Sequence, residues 1–339
     1  MCSNNYQAPY FASYPTTRLR RNRNHKWLRD IIQENHLTVN DLIYPVFVMD
    51  GTKIKEPIAT MPGIFRYSID YLLDHLTEVV NLGIKAIAIF PHIDNSFKDE
   101  KATEAINENN LINRAIKKIK DIFPDLGIIC DVALDPYLSH SHDGIVRNGV
   151  IENDITNEIL ARQAVLQAKA GCDIVAPSDM MDGRVGVIRK SLDAAGYENV
   201  GILSYAVKYA SKLYDPFRDA VGSKQKQAID KATYQMHYAN SHEVLSEISL
   251  DISEGCDMVM VKPGGMYLDV VKLAVSNFDI PVFAYHVSGE YAMLKFAAMQ
   301  NAINYEDVLI EALYCFKRAG VRAILTYGAV DAAKIILDN

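Results

Sequence analysis

Short apolar runs recur along this chain, each closing on polar or charged residues. They are LIYPVFV (42–48), IKAIAIF (84–90), GIICDVAL (127–134), CDIVAPS (172–178), VGILSYAV (200–207), CDMVMV (256–261), PVFAYHV (281–287) and VRAILTY (321–327). Most are rich in Val and Ile and apolar at successive positions, which is how strands covered on both faces read. Between them, apolar residues recur at helical spacing. Ile159, Val165 and Leu166 belong to one such segment, Val244, Leu245, Ile248 and Ile252 to another, and Ala312, Leu313 and Phe316 to a third. These segments stop at Gly171, Gly255 and Gly320, where a glycine C-cap is expected. A repeated strand–helix order predicts an α/β fold with a parallel sheet. Eight units favour a (β/α)8 TIM barrel over an open doubly wound sheet. No dinucleotide-binding glycine fingerprint follows the first strand. We expect an N-terminal arm over residues 1–40 and a catalytic barrel over residues 41–339.

Barrel enzymes place their chemistry at the C-terminal ends of the strands. Here those ends supply Asp131, Asp135, Ser178, Asp179, Lys208, Lys262, His286, Ser288 and Tyr327. A lysine at the mouth of a buried strand can lose part of its proton affinity and become a nucleophile toward carbonyls. Two such lysines suit a reaction that handles two carbonyl groups, and they would depress each other's pKa by repulsion.

Long polar stretches follow the third strand (135–153) and the fifth (209–240), and loops of that length usually serve a function. The segment 131–144, which runs into the first, holds Asp131, Asp135, His140, His142 and Asp143. It reads either as a site for a transition ion or magnesium or as a solvated polar loop in which His140 and His142 are surface residues or acid–base helpers. The second holds Tyr214, Phe217, Arg218, Lys224, Lys226 and Lys231. It reads either as a flap closing on a substrate carboxylate, with Arg218 as a two-pronged donor, or as an exposed charged loop.

The formal net charge of -7 argues against nucleic acid as a partner. No apolar run approaches the roughly 18 residues of a membrane helix, so no membrane partner is expected. Cys2, Cys130, Cys172, Cys256 and Cys315 form no paired framework, which favours a reducing, cytoplasmic setting. The first 29 residues lack Asp and Glu and carry Arg18, Arg20, Arg21, Arg23 and Arg29. Such a start can be a transit peptide, but Pro9 and Pro15 spoil an amphipathic helix. It reads as an extended basic arm lying on another subunit, or as an unstructured tail.

Four longer stretches carry a resemblance: APSDMMDGR (176–184), KYASKLYDPFRDA (208–220), MVKPGG followed by YLD (260–269), and YHVSGEYAM (285–293). They resemble the porphobilinogen synthase, or 5-aminolevulinate dehydratase, family from about Pro15 to Tyr327. That resemblance implies a TIM barrel with an N-terminal arm, assembled as a homo-octamer. It implies a hydro-lyase that condenses two molecules of 5-aminolevulinate into porphobilinogen with loss of two waters, the first common step of tetrapyrrole and heme biosynthesis. It implies a Schiff base on Lys262 for the first (P-site) substrate and on Lys208 for the second (A-site) substrate. Ser288 and Tyr327 would bind the P-site carboxylate, and Arg218, Lys231 and Gln235 the A-site carboxylate. Asp131 and Ser178 would contact a substrate amine, while Tyr214 and Phe217 would wall the pocket.

Many family members bind a catalytic zinc through three cysteines, and the matching positions here are Ala133, Asp135 and Asp143. Without thiolates zinc is disfavoured. The resemblance is to the aspartate-bearing class, which implies dependence on Mg2+ or K+. Mg2+ would be an allosteric activator held by Glu247 at a subunit contact, and Asp135 and Asp143 would be candidates for an active-site cation. Gly328 departs from the family, which often has an aromatic residue there. The main rival is another Schiff-base barrel enzyme, a class I aldolase, which needs one essential lysine. A metal-dependent hydrolase built on His92, His140, His142, Asp143 and His286, and a non-catalytic barrel, are weaker alternatives.

Overall fold

A computed structural model describes residues 13–223 and 229–338; Cys2, Pro9, Lys224 and Lys226 lie outside the described residues. The chain divides into two units, Met1–His36 and Leu37–Asn339. The described part of the first carries a 3-10 turn, Leu19–Arg23, and a six-residue helix, Lys26–Ile31, neither of which buries a residue.

The second unit is the barrel. Its strands are β1 (Leu42–Met49), β2 (Ala86–His92), β3 (Gly127–Val132), β4 (Ile174–Pro177), β5 (Gly201–Lys208), β6 (Met258–Lys262), β7 (Val282–His286) and β8 (Ala323–Thr326). All run parallel in chain order, and β8 pairs back onto β1 through Leu42↔Ile324 and Ile43↔Leu325, closing the ring. Each of the apolar runs read from the sequence overlaps one of these strands. Gly171, Gly255 and Gly320 cap their helices with φ of +107°, +102° and +106°, a conformation costly for any residue with a Cβ.

Strand alternation splits the core in two. Ile128, Cys130, Val175, Val259 and Ile324 face the helices. Ile43, Ile129, Ala176, Leu203, Met260 and Leu325 fill the barrel interior. On β5 the alternation breaks. Leu203 and Tyr205 face inward, but Ala206 and Val207 both face the helices. The pairing of β5 with β6 shifts at the same place, from Val259↔Ser204 to Val261↔Val207. This one-residue bulge re-aims everything after it and sets Lys208 opposite Lys262.

The stretch after β3 is not a solvated loop. Asp135, Tyr137, Leu138, His140, His142 and Asp143 are all buried, because its apolar residues Tyr137 and Leu138 join the core and carry the polar ones down with them. The histidines therefore are not surface residues. Gly328 has no room for a side chain: a Cβ there would lie 2.8 Å from Leu309 Cδ1 and 3.2 Å from the Tyr305 hydroxyl.

Candidate active site

Lys208 and Lys262 end adjacent parallel strands as direct register partners. Register partners point the same way across strands about 4.8 Å apart, so the two amines share the barrel mouth. They are 5% and 6% exposed. Asp131, Asp135, Asp143, Ser178, Tyr214, Phe217, Arg218, Lys231 and Gln235 line the same cavity. Nearly all the site residues expected from the sequence are thus brought together. The remaining cavity volume is about 30 Å³, room for a water or two.

The environments of the two lysines differ. Burial and the nearby Lys208 charge lower Lys262 to about 7. Its Nζ stands 4.9–5.2 Å from the ring centres of Tyr205, Tyr214, Phe217 and Tyr285, an aromatic cage that excludes water and tolerates a cation. Burial also acts to lower Lys208, but the charges of Asp143 and Asp135 outweigh it and the net shift is upward. Lys208 Nζ donates to Asp143 Oδ1 at 2.9 Å and to the Ser178 carbonyl. The expectation that each lysine depresses the other therefore holds for Lys262 alone. Carboxylates reach Lys208 directly, whereas rings surround Lys262.

Asp143 also accepts from Lys231 at 2.6 Å and from the Tyr234 hydroxyl at 2.7 Å. Burial pushes its carboxyl up, but Lys208 and Lys231 together hold it well below the ordinary carboxylate range. Burial raises Asp131 to about 6, against the opposing charge of Lys262, and its Oδ1 is buried without a partner. A buried carboxyl near neutrality can take and return a proton. Asp135 is likewise raised, by burial and by the Asp143 charge. Gln235 Oε1 is also buried without a partner.

The two groups expected to hold the P-site carboxylate already have partners among the residues around Lys262. The Tyr327 hydroxyl is 2.8 Å from that of Tyr285, whose ring belongs to the Lys262 cage. Ser288 Oγ accepts from the Phe217 N–H at 3.0 Å and donates to the Leu213 carbonyl at 3.2 Å. Arg218 pairs with Asp215 at 2.8 Å.

Two strand-end residues do not join the mouth. His286 turns to the helix side of β7, with Nδ1 2.9 Å from Thr326 Oγ1 and its ring edge-on to Phe316; alternation puts Tyr285 inward and His286 outward. Asp179 accepts from the Met181 N–H at 2.7 Å, and burial lifts it to about 6 against the charge of Arg184. The sequence reading missed Tyr205, Tyr285 and Tyr234. Alternation within β5 and β7 could have flagged the first two as inward-facing. Nothing local flags Tyr234.

The candidate cation site at Asp135 and Asp143 does not fit a metal ion in this arrangement. Both Asp143 oxygens are taken by ammonium and phenol donors. Among the described residues no group of three or more His, Cys, Asp or Glu side chains could hold an ion. The histidines of the rival hydrolase reading do not converge: His92 Nδ1 lies 3.2 Å from the Ala220 carbonyl, and His286 faces Thr326. Glu247 does not line the lysine pocket but a neighbouring cavity of about 550 Å³, shared with Asp182 and Glu243, and Gln235 lines both. Burial raises its carboxyl, Arg184 acts the other way, and the charges of Asp251, Asp182 and Glu243 add to the rise. An acidic hollow of this kind suits a hydrated divalent ion, since magnesium keeps most of its water.

The family profile described as "Delta-aminolevulinic acid dehydratase" matches residues 16–335. A delta-aminolevulinic acid dehydratase of Bradyrhizobium diazoefficiens is 52% identical over 317 residues, covering 94% of this chain and 90% of its own. One from Rhodobacter capsulatus is 47% identical over 323 residues, covering 95% and 97%. The solved delta-aminolevulinic acid dehydratase (porphobilinogen synthase) of Toxoplasma gondii, in complex with the reaction product porphobilinogen, superposes with a TM-score of 0.93. It is 48% identical and covers 95% of this chain and 92% of its own.

Proposed function

Because the chain belongs to the delta-aminolevulinic acid dehydratase family, we propose how its two unlike lysines divide the work of making porphobilinogen. The enzyme is a lyase that condenses two molecules of 5-aminolevulinate and releases two waters. Each water carries away one ketone oxygen. The observation that carries the reading is the side-by-side pair of buried amines with opposite shifts.

Lys262 is the amine ready to react. At neutral pH a large share of it is unprotonated, so it attacks the ketone carbon and expels water to form an imine. The protonated imine is an electron sink, and the aromatic cage holds that cation out of water. The carbon beside it can then lose a proton to Asp131 and become a nucleophile. Ser288 and Tyr327 hold this substrate's carboxylate, exchanging their present partners for it.

Lys208 is delivered as an ammonium, clamped by Asp143 and the Ser178 carbonyl. We assign it the second substrate. Its proton must leave before it can form an imine, and Asp143 and Asp135 are the neighbouring acceptors. Lys231, now on Asp143, together with Arg218 and Gln235, binds the second carboxylate. When that carboxylate draws Lys231 away, Asp143 loses one of the two charges that keep it ionised and becomes a better proton acceptor. Asp131 and Ser178 bind a substrate amine. Two substrates do not fit the present cavity of about 30 Å³, so Phe217 and Arg218, on the helix Asp215–Val221, must move aside to admit them.

The reading extends to regulation and setting. The chain is of the aspartate-bearing class, and a hydrated magnesium ion at Glu247 serves as an activator rather than a reactant. The assembly is a homo-octamer. The basic arm, whose Trp27 and Ile31 are 61% and 74% exposed, lies against a neighbouring subunit. Among the described residues no helix is long and apolar enough to cross a membrane. The described cysteines, Cys130, Cys172, Cys256 and Cys315, are free thiols, which supports a reducing, cytoplasmic setting.

Borohydride reduction with 5-aminolevulinate, followed by peptide mapping, tests the division of labour. Lys208→Ala is expected to make no pyrrole while still trapping one substrate at Lys262. Normal pyrrole formation by that variant, or label on another residue, would refute it.

A further inference from the structure

We infer that Glu290 is a positioning residue that fixes the spacing between the Lys262 imine and the carboxylate anchor at Ser288, and so selects the chain length of the oxo acid accepted there. This rests on the roles given above to Lys262 and Ser288. Glu290 is 5% exposed and sits in the first turn of the helix Ser288–Met299. Its Oε2 accepts from the Val287 N–H and its Oε1 from the Met266 N–H, each at 2.9 Å. The Gly265 N–H is a third donor. Val287 leaves β7, while Gly265 and Met266 leave β6 just after Lys262. One carboxylate thus ties together the exits of the two strands that carry the imine lysine and the anchor.

The surroundings are shaped around this contact. A Cβ at Gly265 would lie 2.8 Å from Glu290 Oε1, so a side chain there would push the carboxylate off. A Cβ at Gly289 would lie 2.6 Å from the Leu213 carbonyl, so the Ser288 turn is also pressed against the flap. Three converging N–H groups call for a group that only accepts hydrogen bonds. A glutamine must turn its NH2 toward one of them, which leaves a buried donor unpaired. The substrate's ketone and its carboxylate would then lie on two loops no longer fixed to each other.

Burial lifts the Glu290 carboxyl to about 7, with the three backbone donors pulling the other way. The titratable groups facing it are phenols, Tyr214 from the flap and Tyr267 from the turn after β6, and burial raises both, so they stay neutral. The clamp is therefore half protonated near pH 7, fully formed well above it and lost as pH falls below it.

The test compares borohydride trapping of 4-oxopentanoate and 5-oxohexanoate at Lys262 from about pH 5.5 to 8.5, which brackets the raised carboxyl. The ratio of the two rates cancels the protonation of the amine, which both acids need. The native enzyme should favour the shorter acid by about tenfold or more at high pH, the usual worth of one methylene in a fitted site. That preference should shrink as pH falls. Glu290→Gln should show a small preference at every pH, with trapping itself retained. If the native ratio is flat with pH, or if Glu290→Gln keeps the native ratio and profile, the inference is overturned. The native pH series decides the matter even should Glu290→Gln fail to fold. No trapping of either acid at Lys262 would instead overturn the lysine assignment beneath it.

Discussion

Lys262 and Lys208 occupy one rung of the barrel, yet one is depressed and the other raised, because the nearest neighbours of the first are rings and of the second a carboxylate. Imine formation needs the free amine. With Lys262 near 7, its unprotonated share falls about tenfold for each pH unit below that value. Single-turnover trapping at Lys262 should accordingly rise with pH and level off above about 7. A plateau reached only near pH 10 would show that the amine is not depressed. Asp143 is the other decisive residue, since the buried Lys208 and the half-buried Lys231 both pair with it. Asp143→Asn should destabilise the fold by about 3–5 kcal/mol, the usual cost of stranding buried charge. Urea unfolding measures this, and an unchanged midpoint would mean that the lysines find other partners or shed their protons.

At the scale of elements, the bulge in β5 matters most. Residues 203–208 read as an ordinary apolar strand, and strict alternation would point Val207 inward and Lys208 out toward the helices. One extra residue reverses that. Deleting Ala206 should restore the alternation, keep the barrel folded by circular dichroism, and cut pyrrole formation by at least about a thousandfold, as losing a covalent catalyst does. Activity near the native level would mean that register is not what aims Lys208. The loop after β3 teaches the complementary lesson. Its histidines and aspartates look solvated in the sequence, but Tyr137 and Leu138 pull the segment inward, and its charges end up as the counterions of the lysines.

On the scale of the whole molecule, two polar centres adjoin: the lysine pocket and the acidic hollow of Asp182, Glu243 and Glu247, with Gln235 lining both. Arg184 lies between their chemistries, pairing with Asp251 at 2.6 Å and feeling the charges of Asp179 and Glu247. If magnesium acts at the hollow as an activator, Glu247→Gln should weaken its stimulation of pyrrole formation by about tenfold in the concentration needed, the scale of losing one charged ligand. Basal turnover should persist. Equal stimulation of the variant would move the activator site elsewhere.

The order of apolar runs, the three glycine caps and the lysines at two strand ends determined the barrel and the chemical class from sequence alone. Each depends on residues close in the chain, through side-chain alternation, backbone conformation or the exit from a buried strand. The tertiary structure decided what depends on contacts between distant segments: that the Lys262 amine is lowered and Lys208 raised, that Asp143 pairs with both Lys208 and Lys231, that His286 and Asp179 face away from the mouth, and that Tyr205 and Tyr285 wall it. A pKa or a coordination shell is set by whatever lies within a few ångströms in space, and a bulge or a buried loop changes that set while leaving the local pattern of the chain as it was.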